Sequence, residues 1–386
     1  MPGSLDGLRV LDLTSNLSGP YCCMMLADHG ADVVKVEPPR GDAARNMPPF
    51  VGGESAPFMI WNRNKRSVAM DLKAERDAFL ALADGADIVV ENYRPGVLDR
   101  LGIGWEVLHE RNPRLILGSI SGFGQTGPYA PRGGFDLISQ AMSGLMSVNG
   151  PEDGPPFRLP IAISDVAAGM FLAFGLLAAV EARHRTGRGQ RVETSLLEAA
   201  ASFCVYEAAH YFATGTRPPR IGQQHRGSSP YQVFATADRW ITIGASQQHF
   251  FEALCRILGV PELCADARFR TVAERVRHNR ELVALLQEPL RHQPASHWLG
   301  ALEAVGIPAG PVLHFDELFT DPHFLARGMV AETRHPETGA FRTLGVPVKL
   351  SETPGGVHRP APRLGEHTAE VVEGRCPPLP LRQGNG

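Results

Sequence analysis

The chain has 386 residues, of which 43% are hydrophobic and 20% are charged, which is enough for two domains, or one elaborate domain, with a large buried core. The formal net charge is -3 and the sequence pI is near 6.5. This balance excludes the polybasic surface carried by proteins that bind nucleic acid or anionic membranes. We therefore expect no nucleic acid and no membrane among the partners.

Neither the cysteines nor the N-terminal residues point to export. The cysteines form no C-x-x-C pair and no regular framework, which is typical of a reducing compartment and disfavours a zinc site. They are Cys22, Cys23, Cys204, Cys255, Cys264 and Cys376. The N-terminal residues lack a basic segment followed by an apolar one, and the longest apolar run, within 166–180, is too short to span a bilayer. We predict a cytoplasmic protein without a metal ion.

Alternating strand-like and helix-like segments in the first third of the chain indicate an α/β sheet. Strand-like runs cover 8–13, 31–37, 86–91 and 115–121, and helix-like runs cover 21–29, 71–84, 96–101 and 105–111. Strands separated by helices predict a doubly wound parallel sheet with helices on both faces. Ligands of such sheets bind beyond the carboxyl ends of the strands, so the loops to consider are 14–18, 38–45, 92–94 and 122–129.

The last of these loops contains a glycine pattern similar to a dinucleotide-binding motif. Gly122, Gly124 and Gly127 have the spacing G-x-G-x-x-G. Pro128 and Pro131 follow the third glycine, so no helix can begin there to hold a pyrophosphate, and the motif is not in the first βα turn. We interpret the segment as a glycine loop shaped around some other ligand.

The longest helix-like segment begins beside a carboxylate. A short apolar run, 159–163, is followed by Ser164 and Asp165 and then by the apolar segment 166–180. Two interpretations of Asp165 follow from this position. It is either the N-cap of the helix, accepting a backbone N–H of the first turn, or a nucleophile held rigidly on an exposed first turn.

The second half of the chain predicts a smaller α+β domain. A helix is expected at 200–214, a hairpin at 231–245 with its turn near Ala237 and Asp238, a mostly helical block at 248–305, and two strands within 329–350. The predicted organisation is a large domain at 1–214, a linker at 215–229, a small domain at 230–306, a linker at 307–328, and a return to the large domain with a tail at 329–386. We expect the Pro/Gly-rich residues after 353 to lie along the large domain or to be partly disordered.

Several segments, in this order and spacing, resemble the class III CoA-transferase family, which includes formyl-CoA:oxalate transferase, carnitine CoA-transferase and α-methylacyl-CoA racemase. The segments are LDLTSNLSGPYCCMMLADHGADVVKVEPPRGD, NKRSVAMDLK, VVENYRPGVLDRLGI, SISGFGQTGPYAPRGGFDLISQAMSG, ISDVAAG, TGRGQRVETSLLEA, PYQVFATAD and IPAGPV. The resemblance covers nearly the whole chain. It implies a large CoA-binding domain built from both ends of the sequence, a smaller domain, and an interlocked homodimer.

The resemblance also implies an activity and a site. Asp165 matches the family's nucleophile, which moves CoA from an acyl-CoA donor to a carboxylic acid, most naturally a dicarboxylic acid, through an aspartyl anhydride and an aspartyl-CoA thioester. Acyl-CoA is then a substrate, and no prosthetic group is needed. The CoA contacts implied are Leu17, Ser18, Arg40, Lys73, Asn92, Tyr93 and Arg100. For Lys73 and Arg100, a solvated helix face is the alternative interpretation.

The sequence departs from formyl-CoA transferase at two places. Leu17 stands where that enzyme has a glutamine, so Asn16 or backbone N–H groups would have to stabilise a thiolate or oxyanion. The glycine-run loop of that enzyme has no counterpart near Gly244, Ala245 and Ser246, which implies a different gating of the site. Both differences leave the substrate open.

Two other functions remain open. Racemisation of a 2-methylacyl-CoA requires two bases, and Phe135 stands where the racemases of the family have a histidine, so the sequence favours transfer. A non-catalytic acyl-CoA-binding role would not require Asp165. Candidate cations for a second carboxylate of the acceptor are Arg45, Arg63, Arg66 and Arg226.

Overall fold

The computed structural model of the chain describes residues 3–372. Contacts between residues divide the described chain into two compact units. The larger unit contains residues 3–146, Arg158–Ala209 and 322–372, and the smaller unit contains Ser147–Phe157 and His210–Asp321. Each unit has a hydrophobic core of its own.

A parallel sheet forms the centre of the larger unit. The strands in the first part of the chain are β1 (Arg9–Asp12), β2 (Asp32–Glu37), β3 (Phe50–Val51), β4 (Glu54–Ser55), β5 (Arg66–Ala69), β6 (Ile88–Glu91), β7 (Ile116–Ser121) and β8 (Arg191–Ser195). Among the described residues, six of these strands pair in the order β5-β2-β1-β6-β7-β8, and every pair is parallel. The predicted α/β class with a doubly wound parallel sheet is confirmed.

Helices between these strands cover both faces of the sheet, and two more helices follow β8. They are α1 (Ser18–Asp28), α2 (Ala56–Trp61), α3 (Arg76–Asp84), α4 (Val97–Arg100), α5 (Trp105–Arg111), α6 (Asp136–Met142), α7 (Leu145–Val148), α8 (Ile163–Thr186), α9 (Leu196–Ala201) and α10 (Val205–Thr214), with a 3-10 turn at Ala43–Asn46. Successive side chains of a strand point to opposite faces, so Val10 joins the core under α1 and α8, whereas Leu11 joins the core under α3 and α5.

The sequence-based assignment missed both edge strands of the sheet and misplaced two helices. β5 contains an arginine, and β8 contains an arginine and a glutamate, so both lack the apolar run that marked the central strands. The helix expected at 71–84 begins only at Arg76, because the Asp71 side chain accepts the Lys73 N–H and forms a turn. The helix expected at 200–214 is two helices, α9 and α10.

A three-stranded antiparallel sheet and a group of helices form the smaller unit. The strands are β9 (Tyr231–Ala235), β10 (Trp240–Gly244) and β11 (Ala309–Pro311), in the order β11-β10-β9. The helices are α11 (Gln248–Leu258), a 3-10 turn at Pro261–Cys264, α12 (Val272–Arg277), α13 (Asn279–Leu290), α14 (Ala295–Ala304) and α15 (Phe315–Leu318). Phe234 and Ile241 of the sheet pack against Phe251 and Trp298 of the helices. The predicted hairpin and helical block are both present.

The chain then returns to the larger unit through α16 (Pro322–Ala326), the hairpin β12 (Val330–His335) and β13 (Gly339–Leu344), and α17 (Thr368–Val372). The residues before α17 cover the edge strand β5: the His367 N–H donates to the Ser67 carbonyl at 2.9 Å, and the Thr368 hydroxyl accepts the Ala69 N–H at 3.1 Å. The described part of the tail therefore lies along the larger unit and shields a sheet edge. The rest of the predicted tail, 373–386, lies outside the described residues.

The helix α8 is longer than the apolar run that predicted it. By length and composition alone, α8 could cross a membrane: the mean hydropathy of its most apolar 18-residue window is 2.0. Of that window, 44% is buried inside the protein. Core helices of soluble proteins have the same properties. One face of α8 packs on α1 and the sheet, while Met170, Phe171, Phe174 and Leu177 are exposed on the other.

Candidate active site

The candidate residues follow the carboxyl ends of the parallel strands, which share one edge of the sheet. Leu17 and Ser18 follow β1, Arg40 follows β2, Lys73 follows β5, and Asn92 and Tyr93 follow β6. The strand order places β1 and β6 side by side, although the chain winds from β1 toward β5 and from β6 toward β8. This is the topological switch point, where open α/β sheets bind their ligands.

The Asn92 side chain joins the loop after β6 to the loop after β1. Its side-chain oxygen accepts the Ser15 N–H at 2.9 Å, and its side-chain nitrogen donates to the Ser15 carbonyl at 2.8 Å and to the Ser18 hydroxyl at 3.4 Å. These bonds occupy both donors of the amide. The Asn92 side chain is therefore used to position the loop after β1, so a contact from this residue to CoA would come from its backbone.

Asp165 lies in the first turn of α8, but it is not the N-cap. The N-cap is Ala162, the helix begins at Ile163, and Asp165 is the third helical residue. The capping acceptor is another carboxylate: Asp136, at the start of α6, accepts the Ser164 N–H at 3.0 Å. The N-cap interpretation of Asp165 is therefore wrong, because Asp136 supplies the cap and leaves the Asp165 carboxylate for other contacts.

Gln140 holds the segment that leads into α8. Its side-chain nitrogen donates to Asp136 at 2.8 Å and to the carbonyls of Leu159 and Ile161 at 3.3 and 3.2 Å. Its oxygen accepts the Leu159 N–H at 2.9 Å. Asp136 and Gln140 are one helical turn apart and together fix where α8 begins.

The start of α1 supplies the direct partner of Asp165. The Ser18 side chain lies near enough to the Asp165 carboxylate to lower its pKa, and the Ser18 hydroxyl accepts from Asn92 at 3.4 Å. The two helices approach closely enough for this contact because residue 169, one turn after Asp165, is a glycine. A Cβ at Gly169 would lie 2.7 Å from the Ser18 carbonyl oxygen and 3.2 Å from the Cys22 nitrogen.

We predict that Gly169→Ala separates α1 from α8. The added methyl group would meet backbone atoms that cannot rotate away. We therefore expect the free energy of unfolding to fall by about 1–3 kcal/mol. The fractional loss of activity should be larger than the fractional loss of stability. Urea unfolding and steady-state kinetics measure the two effects. Gly300→Ala is the control, since no atom lies within 4 Å of a Cβ built there. Wild-type stability and activity of Gly169→Ala would contradict the close packing.

The environment of Asp165 makes it a weak acid. Burial of the carboxyl group, together with the nearby Asp136 charge, raises the pKa of Asp165 from 3.8 to about 6, although the hydrogen bond from Ser18 acts in the opposite direction. At neutral pH the group is mostly ionised, incompletely solvated and more basic than an ordinary aspartate. These are the properties of a nucleophile or a general base.

Glu91, the residue before Asn92, is a second buried acid at this edge. Burial raises its pKa from 4.5 to about 7, although the nearby Ser119 side chain and the bond from the Tyr93 N–H act in the opposite direction. The bond from the Tyr93 N–H, at 2.8 Å, holds the turn that contains Asn92.

The other predicted contacts vary in exposure. Leu17 is the N-cap of α1 and provides no side-chain cap. Arg40, Lys73 and Arg100 are exposed, with the Arg100 guanidinium folded over Gly96. The ring of Tyr93 packs against the core under α3 and α5, and burial raises the pKa of its phenol to about 12.

Three of the arginines proposed for the acceptor are already paired within the fold. Arg63 is buried and forms two bonds to Asp28, Arg45 forms two bonds to Glu37, and Arg66 binds Asp32 and Glu370. Redirecting any of them would leave its partner carboxylate without this cation, which argues against a role in binding the acceptor. Arg226 donates to the Pro219 carbonyl.

The glycine loop leads into α6 rather than into a nucleotide-binding helix. No helix begins between Gly122 and Phe135 in the described chain, and α6 starts at Asp136. Gly122 and Gly134 cross closely, since a Cβ on Gly134 would lie 2.5 Å from the Gly122 Cα. This crossing places Asp136 beside the start of α8. Phe135, just before it, is largely exposed.

The sequence analysis missed Asp136, Gln140, Gly169 and Glu91. The carboxylate and the amide at i and i+4 in FDLISQ carried a weak signal, since such pairs interact on a helix. Nothing in the spacing indicated that they hold a segment 19 to 28 residues further on. Among the described residues, no group of three or more His, Cys, Asp or Glu side chains is placed to hold a metal ion.

Fold and site together define an α/β protein with a positioned, weakly acidic carboxylate at the ligand-binding edge of a parallel sheet. The model of CoA-transferase family III matches residues 5–368. The chain belongs to this family and is a class III CoA-transferase.

Individual relatives agree with this assignment. An acetyl-CoA:oxalate CoA-transferase from Acetobacter aceti is 41% identical over 374 residues, which cover 96% of this chain and 95% of that protein. A succinyl-CoA:glutarate CoA-transferase from Mus musculus is 39% identical over 373 residues, which cover 96% of this chain and 86% of that protein. The crystal structure of a CaiB/BaiF family protein from Brucella suis superposes with a TM-score of 0.88 at 35% identity, covering 97% of this chain and 100% of that one.

Proposed function

We propose that the protein transfers CoA from an acyl-CoA to a dicarboxylic acid, with Asp165 as the covalent carrier. The observation that carries this proposal is the position of Asp165 in the first turn of α8, where Asp136 caps the helix and the Ser18 side chain lies near the carboxylate. A carboxylate of raised pKa is more nucleophilic than an ordinary aspartate and is still ionised at neutral pH.

The reaction proceeds in four attacks, each of which exchanges one bond for another. An Asp165 oxygen attacks the thioester carbonyl, the C–S bond breaks, and CoA leaves as a thiolate from a mixed anhydride. The thiolate attacks the Asp165 Cγ and releases the first acid, which leaves an aspartyl-CoA thioester. The acceptor carboxylate attacks the same Cγ and again releases the thiolate. Attack of the thiolate on the acceptor carbonyl forms the product and restores Asp165.

We assign to the N-terminus of helix α1 the stabilisation of the negative charge that develops in these steps. Its N-cap, Leu17, has no side chain that can accept a hydrogen bond, so the partial positive charge of the helix N-terminus is not neutralised by a side-chain cap. The Asn16 N–H is already donated to Asp42 at 3.0 Å. In the absence of the glutamine of formyl-CoA transferase, we assign oxyanion stabilisation to the backbone N–H groups that open α1.

The exposed cations at the same edge suit a CoA nucleotide. Arg40, Lys73 and Arg100 follow β2, β5 and β6 in the chain, and each can reach solvent where phosphates would lie. The acceptor class is supported by the relatives, two of which are named for oxalate and glutarate. Both of these acids are dicarboxylates.

The test is a transfer assay with succinyl-CoA and a panel of dicarboxylates from oxalate to glutarate, read by mass spectrometry of new thioesters. We expect at least one acceptor to yield its CoA thioester, and hydroxylamine added during turnover to modify Asp165. The same enzyme incubated with a chiral 2-methylacyl-CoA in deuterated water should leave the stereocentre unchanged, because Phe135 cannot act as a second base. Deuterium exchange with loss of stereochemistry, and no transfer, would favour a racemase instead.

We also propose that two copies form an interlocked homodimer. The motivating observation is the exposed apolar face of α8 and α6. Phe174, in the middle of the longest helix, is 74% exposed, and Leu137, Ile138 and Met142 of α6 are also exposed. A stripe of this kind on the central helix requires another chain to exclude water, and a second copy offers the same stripe.

A further inference from the structure

Lysine is rare in this chain, and half of the lysines are buried. Only four of the 38 basic residues are lysines, and the other 34 are arginines. Lys73 and Lys349 are exposed, whereas Lys35 is 0% and Lys65 is 1% exposed. No role described above uses the two buried ammonium groups.

Lys65 binds the start of α1. Its Nζ donates to Asp12 at 2.9 Å, to the Asn62 side-chain oxygen at 2.8 Å and to the Pro20 carbonyl at 2.9 Å. These three acceptors match the three donors of an ammonium group, whereas a planar guanidinium with five donors would leave several unsatisfied. Pro20 lies two residues after Ser18, in the first turn of α1.

Lys35 holds the turn before α1. Its Nζ donates to the Thr14 carbonyl at 2.8 Å and pairs with Asp42 at 2.8 Å. Asp42 in turn accepts the N–H of Asn16, a residue with a left-handed φ of 64°. Asparagine adopts this conformation more readily than most residues other than glycine, and the bond to Asp42 fixes it here.

Asp12 joins the two lysines. Burial alone would raise its pKa, but Lys65 and Lys35 lower it to about 2, so the carboxylate remains charged. A buried network of two ammonium groups and two carboxylates contributes little net stability compared with apolar side chains of the same volume. Its contribution is geometric, because each ammonium group fixes a backbone carbonyl in the segment that contains Ser18.

We propose that Lys35 and Lys65 are positioning residues for CoA transfer: they hold residues 14–20 so that the Ser18 hydroxyl meets Asp165. This inference rests on the proposed covalent role of Asp165. It predicts that loss of either ammonium group moves Ser18 and weakens its influence on the Asp165 carboxylate. A displacement of about 1 Å at a reacting group costs on the order of a hundredfold in rate.

The experiment compares Lys65→Arg with Lys349→Arg. Lys349 is exposed and distant in sequence from the candidate site, so its substitution controls for the change of cation. Three quantities are measured for each variant: thermal unfolding, kcat and KM for the acyl-CoA, and carbodiimide labelling of Asp165 against pH, read by peptide mass spectrometry. Carbodiimides react with the protonated carboxyl group, so the labelling midpoint reports its protonation without requiring turnover.

For Lys65→Arg we expect kcat to fall about a hundredfold with a smaller change in KM. The labelling midpoint should move to higher pH, because Ser18 no longer stabilises the ionised form of Asp165. Ser18→Ala should give the same shift in midpoint, and Lys349→Arg should give neither effect. A folded Lys65→Arg variant with the wild-type kcat and labelling midpoint would overturn the proposal.

If Lys65→Arg does not fold, the Asp42→Asn variant tests the positioning role instead. It removes the charge that pairs with Lys35 but keeps an oxygen for the Asn16 N–H. A shift in its labelling midpoint supports the positioning role, and an unchanged midpoint together with unchanged kcat contradicts it. Failure of the proposed function is a different result: wild-type Asp165 would then form no hydroxylamine adduct during turnover, while the labelling curves could still be compared.

Discussion

Asp165→Asn is expected to lower the rate of CoA transfer by at least about a thousandfold while leaving acyl-CoA binding nearly unchanged. An amide is too weak a nucleophile to attack the thioester, so neither the anhydride nor the aspartyl-CoA thioester forms. The measurements are steady-state transfer and binding of a non-reactive CoA thioether. Retention of more than a few per cent of wild-type turnover would remove Asp165 from the covalent role.

The same substitution should stabilise the protein above pH 6. The pKa of Asp165 is 3.8 in an ordinary environment and about 6 in the fold, so the folded state holds its proton more tightly than the unfolded state. Ionisation therefore costs stability as the pH rises from about 4 to about 6, and the cost is on the order of 2–3 kcal/mol by pH 8. Asparagine cannot ionise and avoids this cost.

Thermal unfolding between pH 4 and pH 8 tests this effect. The difference in Tm between Asp165→Asn and the wild type should be small at pH 4 and grow to several degrees at pH 8. Glu106→Gln, which neutralises an exposed carboxylate on α5, should show no such growth. A constant difference across the pH range would mean that Asp165 is not destabilised by burial.

Phe174→Glu is expected to abolish assembly of the proposed homodimer. An exposed aromatic ring in the centre of the α8 face would be buried against the second copy, and a carboxylate there would lose its hydration without a partner. Wild-type protein should sediment at twice the 41.8 kDa of one chain, even at nanomolar concentration. The variant should sediment as a monomer or fail to accumulate as a soluble protein.

Val107→Glu is the matched control, since it introduces the same charge at an exposed apolar position of α5. It should keep the wild-type mass and Tm. A folded wild-type monomer at nanomolar concentration would remove the dimer, and a dimeric Phe174→Glu variant with unchanged Tm would place the interface elsewhere.

Asp136 has two opposing effects: it stabilises the helix that carries Asp165, and it destabilises the ionised form of Asp165. It caps α8 through the Ser164 N–H and so stabilises the helix that carries Asp165. Its charge, together with burial, also raises the pKa of the Asp165 carboxyl group. The ionised Asp165 carboxylate is therefore less stable than that of an exposed aspartate, but it is also rigidly held and more basic, a combination that is common at active sites.

The sequence by itself determined the fold class, the family and the central carboxylate. Apolar runs such as 31–37 and 86–91 are buried on both faces of a parallel sheet, and their character does not depend on distant residues. The sequence did not predict the edge strands β5 and β8, because their strand conformation depends on pairing with neighbouring strands rather than on their own composition.

Only the tertiary structure decided what surrounds Asp165. Its partners are Ser18 and Asp136, which are distant in sequence and meet it because α1, α6 and α8 all begin at the same edge. It also decided that Arg45, Arg63 and Arg66 are paired and that Lys35 and Lys65 are buried beneath the loop after β1. Charge and chemistry are properties of a residue, but burial and pairing depend on which other segments the fold brings to it.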